Sequence, residues 1–263
     1  MSTYNPLLQS QEPTYYDVML PSKGISYTED GSIHDIFEPE AIIDGVVKIR
    51  ALTTKDELIW TDQRLVEDLK APIIILKNTV LGLKKPELLI RADVETLLLE
   101  ARVLTYGKMT KVSWTCSECN NVNEITVDYT QLPIKRLENF DELMLNFKNY
   151  KVYMSPLIFK EAVEIQKAND NDVSEQLDKI VSCIQRVDVA DDKGENQTVT
   201  DKRFIAQWVE QINPKDFKFI IDHFTEVNKI GTVMDLDVKC QNCSYKEKTD
   251  VVVDITNFFS EED

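Results

Sequence analysis

Two C-x-x-C pairs, Cys116/Cys119 and Cys240/Cys243, constrain the fold of this chain more than any other sequence feature. Two residues between paired cysteines allow a tight turn to direct both sulfurs toward one point. Each pair also lies between two short segments of strand composition. Two hairpins of this kind, facing each other, supply four thiolates in a tetrahedron, which is the coordination that structural zinc prefers. The spacing therefore predicts a zinc ribbon with one structural Zn2+ ion, whose ligands are Cys116, Cys119, Cys240 and Cys243.

The two pairs are unusually far apart, because 120 residues separate Cys119 from Cys240. Compact ribbons have about 15–20 residues at this point. The ribbon is therefore expected to be split by a long insertion, which a bound metal would clamp. Four cysteine ligands also close the coordination sphere and leave no position for a catalytic water. Asn120 and Ser244 follow the pairs where glycine is common, and of the two Asn tolerates a left-handed backbone more readily.

Other interpretations of the cysteines are a coincidental arrangement and a redox dithiol. A thioredoxin-like dithiol lies where a strand passes into a helix, whereas both pairs here precede strands. Cys183 lies apart from the pairs in a helical apolar stripe, so it is expected to be a small buried side chain.

Composition restricts the partners of the chain. Its 263 residues include 46 acidic and 30 basic side chains, a net charge of −16. That field disfavours binding to nucleic acid and to anionic membranes. No apolar run approaches the roughly 20 residues of a membrane span, and the N-terminus lacks the apolar core of a secretory signal. A soluble protein made in a reducing cytoplasm is expected, in which cysteines are thiols or metal ligands.

A catalytic set is missing from the sequence. The only histidines, His34 and His223, are far apart, and His223 falls in an amphipathic helical pattern. The chain has no H-E-x-x-H, G-x-S-x-G, P-loop or dinucleotide-binding glycine pattern. We therefore predict that the protein is not an enzyme.

The first half of the chain divides by pattern into four parts. We expect a flexible arm over 1–14 and a small antiparallel β unit over 15–52, with a hairpin turn at Asp30-Gly31. A helical segment over 53–110 begins with a capping box of Thr54 and Glu57, and its first helix runs to about Leu69. The first knuckle hairpin follows over 111–132.

The second half combines helices with the second hairpin. A mainly helical insertion is predicted over 133–233, with a hairpin at 143–154, helices at 156–167, 173–186, 202–212 and 215–229, and an acidic loop at 188–198. The second knuckle hairpin and an acidic tail occupy 234–263, and the hairpin's outgoing strand is expected to run to Ile255. These parts predict an α+β fold: a small antiparallel β N-terminal unit, a helical body, and a split zinc ribbon.

Three features in order resemble a known family. They are Leu20-Pro21-Ser22-Lys23-Gly24 with Tyr27, the segment Asp93 to Gly107 that ends Ala-Arg-Val-Leu-Thr-Tyr-Gly before the first C-x-x-C, and a second C-x-x-C followed at the chain end by Phe258-Phe259. From about residue 18 to 259 the chain resembles the baseplate hub subunits and hub-assembly proteins of T4-like contractile-tailed bacteriophages.

The resemblance implies a non-enzymatic role in the virion tail baseplate, or in the host cytoplasm while the hub is assembled, through contacts with other phage tail proteins. It leaves open whether the chain stays in the virion, and the sequence does not fix an oligomeric state. Two alternatives from other classes are a zinc-ribbon nucleic-acid-binding or transcription-associated adaptor and a thiol oxidoreductase. The acidic balance and the absence of basic–aromatic interleaving around the knuckles disfavour the adaptor.

Overall fold

The structure is a computed structural model that describes residues 13–167, 173–190 and 196–250. Helices alternate with small antiparallel sheets, so the predicted α+β class is confirmed. The helices are α1 (Ile25–Glu29), α2 (Ile33–Ile36), α3 (Thr54–Thr61), α4 (Gln63–Glu67), α5 (Ala71–Thr79), α6 (Arg91–Tyr106), α7 (Phe159–Lys167), α8 (Val173–Cys183), α9 (Lys202–Gln211) and α10 (Pro214–Val227). The strands are β1 (Tyr15–Met19), β2 (Ile42–Ile43), β3 (Val46–Arg50), β4 (Met109–Thr115), β5 (Val122–Asp128), β6 (Ile134–Lys135), β7 (Met144–Phe147), β8 (Tyr150–Met154), β9 (Ile184–Ala190), β10 (Asn196–Val199), β11 (Gly231–Thr232), β12 (Asp235–Lys239) and β13 (Lys246–Asp250). None of the helices in these ranges has both the length and the apolar character needed to cross a membrane.

The N-terminal sheet has the antiparallel order β1-β3-β2, with Val18 opposite Val47. Alternation along β3 buries Val47 and Ile49 against the main core. The hairpin turn predicted at Asp30-Gly31 is wrong, because the short helices α1 and α2 lie on either side of it. Asp30 ends α1, and Gly31 follows with φ 75°. A left-handed glycine terminates helices as readily as it closes hairpins, so the dipeptide could not distinguish the two.

The main core surrounds α6. Leu97, Leu98 and Leu99 are consecutive and all buried, so this helix is covered on more than one side. Its neighbours in the fold include α5, α7, β3 and β11. Gly107 ends the helix with φ 90°, as its position in the sequence predicts.

A buried carboxylate joins the N-terminal segment to the first turn of α6. Asp93 is fully buried and accepts hydrogen bonds from the Ser22 amide (3.0 Å), the Ser22 hydroxyl (2.5 Å) and the Tyr27 hydroxyl (2.6 Å). The Tyr27 oxygen in turn accepts from the Ile90 amide (2.7 Å). Burial raises the pKa of Asp93, and this effect outweighs the hydrogen bonds, which lower the pKa. Two motifs that are far apart in the sequence, Leu20–Gly24 and the start of α6, therefore meet at Asp93.

A second, smaller core lies between helices α8, α9 and α10 and a four-stranded antiparallel sheet of order β10-β9-β8-β7. The predicted hairpin at 143–154 is present as β7 and β8. The helix predicted over 173–186 instead ends at Cys183, and the chain passes directly into β9. The Lys202 ammonium caps the end of α8 by donating to the carbonyl oxygens of Val181, Ser182 and Ile184.

The acidic loop predicted over 188–198 is wrong at both of its ends. Residues 188–190 continue β9 and residues 196–198 belong to β10, and Thr198 pairs with Asp188. Residues 191–195 lie outside the described ranges. The alternating Val187 and Val189 place one side of β9 against the second core, which polarity alone did not reveal.

Candidate metal centre

The two C-x-x-C pairs lie at the tips of two antiparallel hairpins. Strand β4 pairs with β5 up to Thr115 opposite Val122, and β12 pairs with β13 up to Lys239 opposite Lys246. In each hairpin the six residues after the last pair form a knuckle that carries both cysteines. The predicted strand–turn–strand pattern around both pairs is confirmed, although residues 251–255 of the second outgoing strand lie outside the described ranges.

The two knuckles have the same backbone hydrogen bonds. In the first, the Cys116 amide donates to the Asn121 carbonyl and the Asn120 amide donates to the Cys116 carbonyl, both at 2.9 Å. The second knuckle repeats both bonds, at 2.8 and 3.0 Å, between residues whose numbers are higher by 124. Trp114 and Val238 obey the same offset, and both are buried beneath the cysteines. The hairpins are therefore two copies of one local structure.

Both knuckles close through a left-handed residue. Asn120 has φ 55° and Ser244 has φ 62°, which is the conformation expected at this position. Asn adopts this region more readily than Ser. The second knuckle therefore carries more backbone strain than the first.

The four sulfurs converge into one cluster. Their Sγ atoms all lie within 4.8 Å of one another. Cys116 is 3.7 Å from Cys243, and Cys119 is 3.6 Å from Cys240. A disulfide needs about 2.05 Å, and all five cysteines of the chain are free thiols. Four sulfurs at about 2.3 Å from a central ion stand about 3.8 Å apart in a tetrahedron. The cluster can therefore hold a metal ion.

Burial differs between the two members of each pair. Cys116 and Cys240 are buried, Cys119 is half-buried and Cys243 is exposed. The first cysteine of each pair thus lies in the small core of the ribbon, and the second lies nearer the surface.

The neighbouring amides and sulfurs shift the thiol pKa values in opposite directions. The Cys243 amide, which hydrogen-bonds to the Cys240 sulfur, lowers the pKa of Cys240 to about 6. The Tyr245 amide lowers the pKa of Cys243, but desolvation and the other three sulfurs raise it to about 12. Metal binding at the cluster would therefore displace the proton that Cys243 holds at neutral pH.

Two contacts that sequence reasoning missed connect the knuckles to each other. The Ser117 amide (3.1 Å) and hydroxyl (2.6 Å) donate to the Glu247 carboxylate. The Gln241 backbone amide donates to the Asn123 side-chain oxygen (2.9 Å). The 124-residue offset converts Ser117 into position 241 and Asn123 into position 247, so the contacts are reciprocal. Aligning the two C-x-x-C pairs in the sequence shows that these positions are equivalent, but it does not show that they are in contact.

Cys183 and His223 are not part of the cysteine cluster. Cys183 is buried as predicted, and desolvation raises the pKa of its thiol to about 12. His223 is on α10, where desolvation lowers the pKa of its imidazole. Phe258-Phe259 and the arm residues 1–12 lie outside the described ranges.

A comparison with protein families identifies the family of the chain. The family described as T4 bacteriophage base plate protein matches residues 34–260, a range that includes both C-x-x-C pairs and the insertion between them. No curated protein and no solved structure matches the chain. The match covers most of the 263 residues, and the expectation of a T4-like phage baseplate protein is confirmed. The chain therefore belongs to the family of T4 bacteriophage base plate proteins.

Proposed function

We propose that this chain is a non-enzymatic component of the phage tail baseplate that acts in the central hub or in its assembly, through contacts with other tail proteins. The family match over residues 34–260 carries this proposal. The sequence adds the absence of a catalytic set, and its acidic charge argues against a nucleic-acid partner. The protein would work in the virion tail, or in the host cytoplasm while the hub is assembled.

The proposal includes one structural Zn2+ ion bound by Cys116, Cys119, Cys240 and Cys243. Thiolate sulfur is a soft ligand that favours zinc over the hard cations calcium and magnesium. Distances of 3.6 and 3.7 Å between sulfurs of opposite knuckles agree with the tetrahedral edge of about 3.8 Å. With four protein ligands the ion has no open position, so it would supply stability and no Lewis-acid chemistry.

The ion would fasten the two ends of the insertion. A second tie lies just inside the hairpins, where β6 pairs with β11 through Ile134 and Thr232. The insertion thus leaves and re-enters the main body at neighbouring points, and the metal would hold the hairpins on either side of them together. A baseplate component needs contact surfaces in fixed relative positions, which such a clamp provides.

Replacement of one ligand tests the zinc proposal. Cys116→Ser is expected to lower both the zinc content and the melting temperature, because a metal bound only by the native state stabilises that state. The matched control is Cys183→Ser, which changes a buried thiol outside the cluster and is expected to lower the melting temperature while leaving one zinc per chain. Full metal content and an unchanged melting temperature in Cys116→Ser would refute the proposal.

Composition of native complexes tests the hub role. A tagged chain is purified from lysate of its phage-producing cells, and the intact complexes are weighed by native mass spectrometry. Co-purifying hub proteins are expected, and the presence of the chain in purified virions distinguishes a subunit from an assembly factor. A monomer without tail proteins would contradict the hub proposal. Salt-dependent retention on heparin or DNA would favour the nucleic-acid adaptor instead.

A further inference from the structure

The two reciprocal contacts between the knuckles differ in their surroundings. Glu247 is half-buried and reaches Ser117 at an exposed edge of the ribbon. Asn123 is only 3% exposed and contacts the Gln241 amide inside the ribbon. The bond to Gln241 is partly buried, whereas the bond between Ser117 and Glu247 is exposed, so water competes less with the first.

The Asn123 side chain is in contact with both knuckles at once. Its oxygen accepts from the Gln241 amide of the second knuckle (2.9 Å) and from the Asn121 side-chain amide of the first (3.2 Å). Its own amide group donates to the Asn121 carbonyl (3.0 Å), the same oxygen that accepts from Cys116 in the first knuckle. The buried Asn123 side chain thus connects Asn121, the last residue of the first knuckle, to Gln241 in the turn of the second.

We propose that Asn123 is a positioning residue of the metal centre, which holds the two knuckles in register before the metal binds and thereby sets how long the metal is retained. The proposal rests on the zinc site proposed above. Glu247 supplies the equivalent contact to the first knuckle, with a smaller effect because this hydrogen bond is exposed to water. Asn123 would supply no ligand to the metal, so it would affect metal retention only through the position of the knuckles.

Zinc release from the full-length chain tests the first part of the proposal. The zinc-loaded protein is mixed with an excess of a chromogenic chelator, and the rate of transfer is measured. Groups that hold metal ligands in place typically alter metal affinity about 10–100-fold, so Asn123→Ala is expected to accelerate release about 10-fold or more. Glu247→Ala is expected to have a smaller effect. The matched control is Glu124→Ala, which changes the exposed neighbour of Asn123 on β5 and is expected to leave the rate unchanged.

A second variant separates the hydrogen bonds from side-chain volume. Asn123→Asp is nearly isosteric and can still accept from Gln241, but its ionised carboxylate cannot donate to the Asn121 carbonyl. Faster release is therefore expected in this variant as well. Circular dichroism before the assay verifies that each variant is folded. Release rates of both Asn123 variants equal to that of Glu124→Ala would overturn the proposal.

A metal-free measurement distinguishes failure of this proposal from failure of the zinc proposal. The reduced, metal-free chain is oxidised briefly with diamide, and its disulfides are mapped by mass spectrometry. Prior alignment of the knuckles predicts disulfides between them, Cys119–Cys240 and Cys116–Cys243, which are the close sulfur pairs. Asn123→Ala is expected to shift the products toward disulfides within each C-x-x-C pair, and Glu124→Ala is not. If the wild type binds no zinc but Asn123→Ala still shifts the products in this way, the zinc proposal fails and the positioning role of Asn123 stands. If all variants give the same disulfides, the positioning role of Asn123 is refuted.

Discussion

Asp93 offers the sharpest test of how the N-terminal segment is held. Replacing it by alanine removes the acceptor of three hydrogen bonds, two from Ser22 and one from Tyr27. A buried donor left without a partner costs about 1–3 kcal/mol. Two to three such donors give about 2–9 kcal/mol for Asp93→Ala, a large part of the roughly 5–15 kcal/mol that stabilises a typical domain.

Urea unfolding of the full chain measures this loss. Tryptophan fluorescence follows the transition, and the expected result is a lower midpoint with a slope close to that of the wild type. Tyr27→Phe removes one of the three donors and should cost less than Asp93→Ala. In the double variant the two costs should not add, because both changes break the same bond. A cost below about 1 kcal/mol for Asp93→Ala, or strict additivity, would refute the reasoning.

The pH dependence of the same site has a defined sign. Burial raises the pKa of Asp93 in the folded state, so the native chain binds this proton more tightly than the unfolded chain. The contribution of Asp93 to stability is therefore complete below the unfolded carboxyl value of about 3.9 and declines as the pH rises through the folded pKa. The stability difference between wild type and Asp93→Asn should shrink over that interval.

Two further changes test other parts of the fold. Asp56 behaves in the opposite way to Asp93, because although burial raises its pKa, hydrogen bonds from Arg50 and its neighbours lower it overall. The contribution of Asp56 to stability is present above about pH 3.9 and is lost as the pH falls through the folded pKa. The difference in unfolding free energy between wild type and Asp56→Asn, measured by urea titration at several pH values, should therefore narrow on acidification. A difference that widens would contradict this sign. At the second knuckle, Ser244→Val places a β-branched side chain at φ 62° and is expected to cost about 1–2 kcal/mol. An unchanged melting temperature of the zinc-loaded Ser244→Val protein would refute the strained turn.

The cysteine cluster could be predicted from the sequence because its information is local. A C-x-x-C spacing specifies a knuckle whatever surrounds it, and the left-handed conformation of Asn120 and Ser244 follows from the same turn. The pairing of the two knuckles across 120 residues was also predictable, since only four thiolates together complete a tetrahedral site. Asn123 was not predictable from local pattern, because its role depends on the position of the other hairpin.

Helix boundaries were predicted less well, because the same capping residues are compatible with more than one start or end of a helix. The capping box expected at Thr54 and Glu57 lies one residue earlier, where the Thr53 amide and hydroxyl donate to Asp56 at 2.9 and 2.8 Å. Neighbouring Thr-Thr and Asp-Glu pairs satisfy the same motif in either register. The expected helix to Leu69 is divided at Asp62, whose side chain accepts from the Arg64 amide and starts α4. A capping residue within a helical pattern can start a new helix, and hydrophobic period alone does not detect it.

Two of the long-range ties described above act on opposite ends of α6, and this arrangement supports a role as a rigid component. Asp93 fastens the segment around Ser22 to the first turn of the helix. The hairpin β4-β5 begins directly after Gly107, and its knuckle meets the C-terminal hairpin at the sulfur cluster. Chain segments from both termini are thus attached to one buried helix, while the insertion with its own core departs between the two hairpins. A metal bound at the cluster would strengthen the tie between the hairpins, which the contacts of Asn123 and Glu247 already support. Its loss would leave the tie at Asp93 intact, because the two ties share no residue. The cysteine cluster is therefore suited to fixing the insertion against the main core, and Asp93 to fixing the N-terminal sheet.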